Sequence, residues 1–323
     1  MANTPEPTYL GERLFHFWNH EDTERAFVIF RSIIERGLLL TCGSGSQLGR
    51  FTYSGKKGTQ SIDLFQESRV CFTDIPDDKL EAHARRYGKC GFGFSRATIL
   101  KWGGLPVWYL PNHPGKDSLQ ERGIVFVRGL RHAEVAIGIL QCLFDTWKQN
   151  ELSNYDFFNS IIIGDGPLAV GEVQELIASA KSVVHNLSSF IKEMSPLEHN
   201  DHSYLYESEW RIVSGVQLEG KDIFRTLSSE EKAELAQSRP EWTNAMRPTM
   251  PLQGHSYPSE PMLDKFHYFN GIPGGNQVSQ EVEVIYVPNR EFKTRVDLYI
   301  QNNVDKFKQL VEVRVFGCRS ATW

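Results

Sequence analysis

The sequence predicts an α+β fold. Three observations carry that prediction. Short apolar strands lead the chain, helical spacing fills its middle, and alternating strands close it. The first strand is Leu14-Phe15-His16-Phe17. A helix follows, with Asp22 as N-cap, Ala26, Phe27, Phe30, Ile33 and Ile34 at helical spacing, and Gly37 where it must stop. Leu38-Leu39-Leu40 resumes extended chain, and residues 42–62, rich in Gly, Ser and Lys, read as mobile surface loops. Arg69-Val70-Cys71-Phe72-Thr73 reads as a buried strand. Asp77 and Asp78 open a helix through Leu80, Ala84 and Tyr87 that Gly88 closes. Gly91-Phe92-Gly93-Phe94 and Pro106-Val107-Trp108-Tyr109 are the next strands.

From about 132 to 200 the pattern is helical. Ile137, Leu140, Leu143 and Phe144 mark one helix; Val173, Leu176, Ile177, Ala180 and Val184 mark another, with "SIIIGDGP" as the turn between. This segment is expected to be a helical insertion in a single α+β domain spanning 1–323. Strands return at Glu209-Trp210-Arg211-Ile212-Val213. A short charged helix and a Pro-rich loop at about 239–262 follow. A strand at 282–287, a helix near 296–300 and a strand at 311–316 end the chain. The last two strands alternate as a half-buried sheet requires.

The composition is ordinary for a globular chain: 323 residues, 40% hydrophobic and 23% charged. It excludes disordered and collagen-like classes. Lys and Arg total 35 against 40 Asp and Glu, a net charge of −5, so no whole-chain basic field for nucleic acid exists. The 5 cysteines are dispersed without a CxxC pair, which suits free thiols in a reducing compartment. No basic leader followed by an apolar run is read at the start, and no apolar stretch approaches a membrane span. A cytoplasmic location is therefore expected.

No phosphate-loop, HExxH or GxSxG signature occurs. Gly43-Ser44-Gly45 lacks a following helix to present amides to a pyrophosphate. Cys71, His83 and Cys90 have no metal-ligand spacing, and no metal is expected. Glu207 and Glu209 would point to one face of an extended chain, where two carboxylates can tune one another as base and charge stabiliser. The other reading pairs Glu209 with Arg211 and leaves Glu207 in solvent. His16, between two phenylalanines, is a catalytic candidate or a packed histidine. Thr73 either serves a site or fixes the turn before Asp74-Ile75-Pro76. Tyr87 lies one helical turn from His83. Arg50, Lys56 and Lys57 alternate with Phe51 and Tyr53 in a loop that could stack bases or recognise an acceptor.

Taken in order, "HFW…IIERGL", "CFTDIP…HARRYGKCGFGF…PVWYL", "ESEWRIV" and "VEVIYVPN" resemble the AbiGi-type abortive-infection phage-resistance proteins. The likeness touches about 14–110, 204–216 and 281–288 and omits the helical middle. It implies phage defence, as toxin or as neutralising half, with a co-encoded toxin or antitoxin or a phage protein as partner. A more distant similarity is to the ADP-ribosyltransferase fold, which implies a split, twisted, antiparallel or mixed sheet. That similarity sets His16 first, "IIERGLLL" as the helix end, Thr73 in the middle and Glu207/Glu209 as a late acid pair. It implies that His16, Thr73, Tyr87 and Arg50 hold NAD as substrate, while Glu209, Glu207 and His16 carry the chemistry. A fixed carboxylate would stabilise the positive ribose formed as nicotinamide leaves. The product would be an ADP-ribosylated macromolecule, nucleic acid included, or hydrolysed NAD. A non-catalytic sensor or antitoxin-like module is the alternative. The enzymatic reading requires His16, Thr73 and the two acids to converge on one cleft.

Overall fold

A computed structural model describes residues 12–18, 22–42, 49–55, 58–64, 66–111, 118–149, 170–194, 208–215, 217–218, 221–243, 246–248, 259–308 and 310–316. The chain begins with β1 (Arg13–Trp18), α1 (Thr23–Arg36), β2 (Leu38–Leu40), β3 (Gly49–Gly55), β4 (Gly58–Leu64) and β5 (Arg69–Thr73). It continues through α2 (Leu80–Tyr87), β6 (Cys90–Ser95), α3 (Arg96–Lys101), β7 (Leu105–Pro106) and β8 (Trp108–Pro111). Two long helices follow, α4 (Ser118–Gln149) and α5 (Val170–Ser189), then β9 (Ile191–Met194) and β10 (Glu209–Val213). The last third holds β11 (Gln217–Leu218), β12 (Lys221–Asp222), β13 (Arg225–Thr226), α6 (Ser229–Ser238), α7 (Pro240–Thr243), β14 (Met246–Pro248) and β15 (Ser259–Pro261). It closes with β16 (His267–Phe269), β17 (Val282–Val287), α8 (Arg290–Asn302) and β18 (Glu312–Val315). The fold is α+β.

The main sheet has seven strands in the order β18-β17-β6-β1-β5-β10-β7. It is antiparallel except for the β17–β18 pair. A second sheet runs β13-β16-β2. The two meet at a bridge, where Thr41 and Arg69 exchange backbone hydrogen bonds of 3.0 and 2.9 Å. Beside that bridge the main sheet parts. Six register pairs join β1 to β6, whereas among the described residues Phe15↔Thr73 is the one pair joining β1 to β5.

Local chemistry explains the elements around this split. Asp22 caps α1 by accepting from the Glu24 and Arg25 amides, and Arg36 in the last turn complements the helix dipole. Ala26, Phe30, Ile33 and Ile34 form the buried stripe of α1. It packs on Leu14, Trp18, Phe72, Phe92 and Trp210, the α1 side of the sheet. On the opposite side Phe15 packs with Ile75, Leu80, Val284 and Tyr286. A third cluster joins α4 and α5 through Val127, Leu130, Ile137, Phe144, Val173, Ile177 and Val184 and reaches Leu64 of β4 and Ile191 of β9.

Two expectations change. Residues 42–62 are not all loop: β3 and β4 pair from Gly49↔Leu64 to Gly55↔Gly58. The period-two spacing of Phe51 and Tyr53 is the strand signal, hidden by the Gly and Lys content of the turn. The helical segment starts earlier, at Ser118, and residues 191–194 form a strand paired parallel to β8. The "SIIIGDGP" turn lies outside the described residues.

Candidate functional site

β10 places the late acid. Ser208, just before it, has φ 39°, a left-handed conformation that a non-glycine residue adopts at a local cost. Its carbonyl accepts the Asp74 amide at 3.1 Å. From there β10 pairs with β5 in the register Glu209↔Thr73, Arg211↔Cys71 and Val213↔Arg69. Paired residues share a face, so Glu209, Arg211, Thr73, Cys71 and Arg69 all lie on one side of the sheet.

The Glu209 carboxylate is buried and doubly paired. Its Oε1 accepts from Arg211 Nε at 2.7 Å and its Oε2 from Lys192 Nζ at 2.8 Å. Burial alone would push the carboxyl up. The charges of Arg211 and Lys192, and their hydrogen bonds, outweigh it and hold the group at about 2. The Glu209 amide donates to Tyr109 Oη at 3.2 Å. Burial raises the neighbouring Cys71 thiol to about 11, with the Glu209 charge adding to it, so it stays protonated near neutral pH.

Arg211 also reaches the helical unit. Its Nη1 donates to the carbonyl of Ser189, the last residue of α5, and to the Ile191 carbonyl at 3.4 Å. Gln66 Nε2 donates to the Ser188 carbonyl at 3.0 Å, and the Glu67 amide donates to Ser189 Oγ at 2.7 Å. The terminal carbonyls of α5 have no partner within the helix, and the sheet supplies donors and a positive charge to them. Arg211 therefore joins three elements: its own strand, the end of α5 and the start of β9.

Thr73 is the predicted residue that meets Glu209, as its direct cross-strand partner. His16 is not brought to the same place. Leu14 and Trp18, two residues either side of it, sit in the α1 core with Phe72 and Trp210, while Phe15 pairs with Thr73 on the other face. His16 therefore belongs to the face opposite Glu209. It fills the gap left where β1 and β5 part, with Nδ1 2.9 Å from the Cys71 carbonyl and its ring 5.9 Å from that of Phe72. The Cys71 carbonyl can only accept, so Nδ1 carries the hydrogen and donates, and burial lowers the His16 pKa. The single-cleft expectation fails by strand parity: alternate residues of β1 face opposite ways.

Tyr87, at the end of α2, stacks on His83 at 4.3 Å, and His83 packs on Phe17 at 5.3 Å. It flanks the Thr73 face across β1. Arg50 stands on β3 opposite Asp63, and its side chain lies outside the described residues. Glu207 lies outside them too. Lys192, which completes the ion cluster, was not singled out from sequence; its distance along the chain from Glu209 hid it.

A family model described as "Putative abortive phage resistance protein AbiGi, antitoxin" matches residues 50–243. No curated protein matches the chain, and no solved structure does. The matched span runs from β3 to α7. It includes α4 and α5, which the sequence resemblance left out, and excludes β1, α1, β17 and β18.

Proposed function

Because the chain belongs to the AbiGi family of abortive phage-resistance proteins, we propose that it is the neutralising half of a defence pair and binds its toxin through the helical unit. The observation that carries this reading is a second apolar seam on α4. Val127, Leu130, Ile137 and Phe144 face α5. About 200° round the helix, Val125, Gly129, His132, Ala136, Ile139 and Leu143 repeat at four- and three-residue spacing. This second row is open to solvent, with Val125 66% and Leu143 49% exposed. Leu140 beside it, and Leu176 and Val183 of α5, are exposed as well. A 3–4 row that exposes Val125, Ala136, Ile139 and Leu143 fits an amphipathic helix of a partner.

The state of Glu209 supports the same reading. A carboxylate already matched to Arg211 and Lys192 has little capacity left to stabilise a new positive charge. The test is co-expression with the neighbouring growth-arresting gene. Wild-type chain should restore growth, Ile139→Glu with Leu143→Glu should lose rescue while remaining folded, and Glu209→Gln should keep rescue whenever it folds. Growth arrest by this chain alone, relieved by Glu209→Gln, would overturn the reading.

That last outcome would favour the second reading, an NAD-using transferase or glycohydrolase. The cross-strand pairing of Thr73 with Glu209 and the parting of β1 from β5 favour it. Incubation of labelled NAD with purified protein and cell extract tests it: label in a macromolecule, or released nicotinamide, marks turnover.

A further inference from the structure

From Val135 to Phe144, α4 carries no charged residue. A stretch that is apolar all round belongs inside a core. Ile137 and Phe144 are inside one, packed with α5, while Ile139, Leu140 and Leu143 face solvent. Together with Val125 and Phe126, these side chains stay between 39% and 66% exposed. Taking a large side chain as roughly 200 Å², that is on the order of 500 Å² of apolar surface on one chain. Two such patches face to face would remove about 1,000 Å² from water, which is where specific interfaces begin.

The order of sizes along the row says what covers it. Val125, Gly129, His132, Ala136, Ile139 and Leu143 hold the a and d places of a coiled-coil seam. Gly129 is exposed, and a Cβ built on it meets nothing within 4 Å, so none of the described residues lies against it. A solvent-facing glycine inside a helix weakens it relative to alanine, but leaves a hole that a side chain of another helix can fill. Set antiparallel to itself, the row brings Val125 to Leu143, Gly129 to Ile139 and His132 to Ala136. In the last two pairs a bulky side chain faces a small one, as an interdigitated layer requires. Set parallel, Gly129 would meet Gly129 and Ala136 would meet Ala136, which leaves voids. The antiparallel pairing is symmetric about a two-fold axis level with Glu134, the symmetry of most dimers.

We propose that the outer seam of α4 pairs antiparallel with the same seam of a second copy of this chain, each Ile139 seated on the other copy's Gly129. The proposal rests on the toxin reading for the seam's other occupant. One seam holds one helix at a time, so toxin and second copy exclude each other.

Sedimentation velocity of the full chain without toxin, across the micromolar range, tests it. Wild type should form a dimer of twice 36.9 kDa. Gly129→Leu should weaken that dimer at least tenfold while helix content is kept, because two bulky side chains then collide. Adding Ile139→Ala to it should restore the dimer, since large and small have only changed sides. Ile139→Glu should abolish the dimer. A wild-type chain that stays monomeric overturns the proposal. So does a dimer that Gly129→Leu and Ile139→Glu leave intact, or one that Ile139→Ala does not restore. Should Gly129→Leu not fold, Ile139→Glu decides alone. In complex with the toxin the chain should carry no second copy, and a retained dimer overturns the exclusion. A monomeric chain that still rescues growth fails this proposal and spares the toxin reading; a dimer that gives no rescue does the reverse.

Discussion

Glu209 and Arg211 lie two residues apart on β10, face the same side of the sheet, and meet at 2.7 Å between Oε1 and Nε. Residues at that spacing on a strand are neighbours on one face, but their side chains normally stand parallel rather than touch. Here the long guanidinium folds back while its Nη1 is drawn to the carbonyls of Ser189 and Ile191 at the end of α5. The pair is thus less a catalytic acid with a helper than a joint between sheet and helices.

The joint should show in acid. The Glu209 carboxyl sits at about 2 in the folded chain, below its ordinary 4.5. A depressed carboxyl contributes stability that is fully present above the unfolded value and is lost as pH falls through the folded one. Wild type should lose melting temperature between about pH 4.5 and pH 2. Glu231, paired with Arg225, is also held at about 2 and contributes in the same window. Glu209→Gln should be flatter there than wild type and less stable at pH 7 by about 3 kcal/mol, because buried Arg211 and half-buried Lys192 lose their anion. Equal pH slopes for the two chains would count against the buried pair.

Thiol reactivity separates the faces of the fold. Cys142 on α4 is exposed. Burial lifts the Cys71 thiol to about 11 and the Cys90 thiol to about 12. Iodoacetamide at pH 8 should therefore label Cys142 first, with Cys71 and Cys90 slower by at least tenfold until the chain is denatured. Peptide mapping over time reads this out, and early labelling of Cys71 would contradict its raised thiol pKa.

Much of the fold was legible because it is written in short-range pattern. The α1 boundaries follow from Asp22 and Gly37, and β17 and β18 from the alternation of their residues. The site was less legible. The ESEWRIV segment displays Glu209 and Arg211, and the option that they pair was readable from it. Their third partner, Lys192, and the carbonyls of Ser189 and Ile191 arrive only through tertiary packing. Strand parity also decided against His16. A sequence gives its order along the chain, but not that β1 meets β5 through Phe15 rather than through His16.

Gly37 tests the link between α1 and the second sheet. Its φ is 97°, and a Cβ added there would stand 2.2 Å from the Phe269 carbonyl oxygen. That atom is backbone in β16, which pairs with β2 directly after the glycine. Neither side can rotate away, so Gly37→Ala should cost more than about 2 kcal/mol, beyond the usual strain of a left-handed alanine. Denaturant midpoints measure it, and a near-neutral change would show that the α1–β2 turn is not held by this contact.

The polar joint predicts where the molecule opens first. Gln66 and Arg211 donate to the carbonyls at the end of α5, while the apolar cluster of α4 and α5 reaches Leu64 of β4 and Ile191 of β9, outside the seven-stranded sheet. Gln66→Ala with Arg211→Met leaves those carbonyls without their donors and Glu209 with Lys192 alone. Local unfolding should then concentrate in α5, since the β17–β6–β1 side shares none of these bonds. Hydrogen exchange should speed up at least tenfold over residues 180–191 with little change over 282–287. A uniform rise across both segments would mean that the sheet and helices open as one cooperative unit, and Arg211 would then contribute general stability rather than hold this one joint.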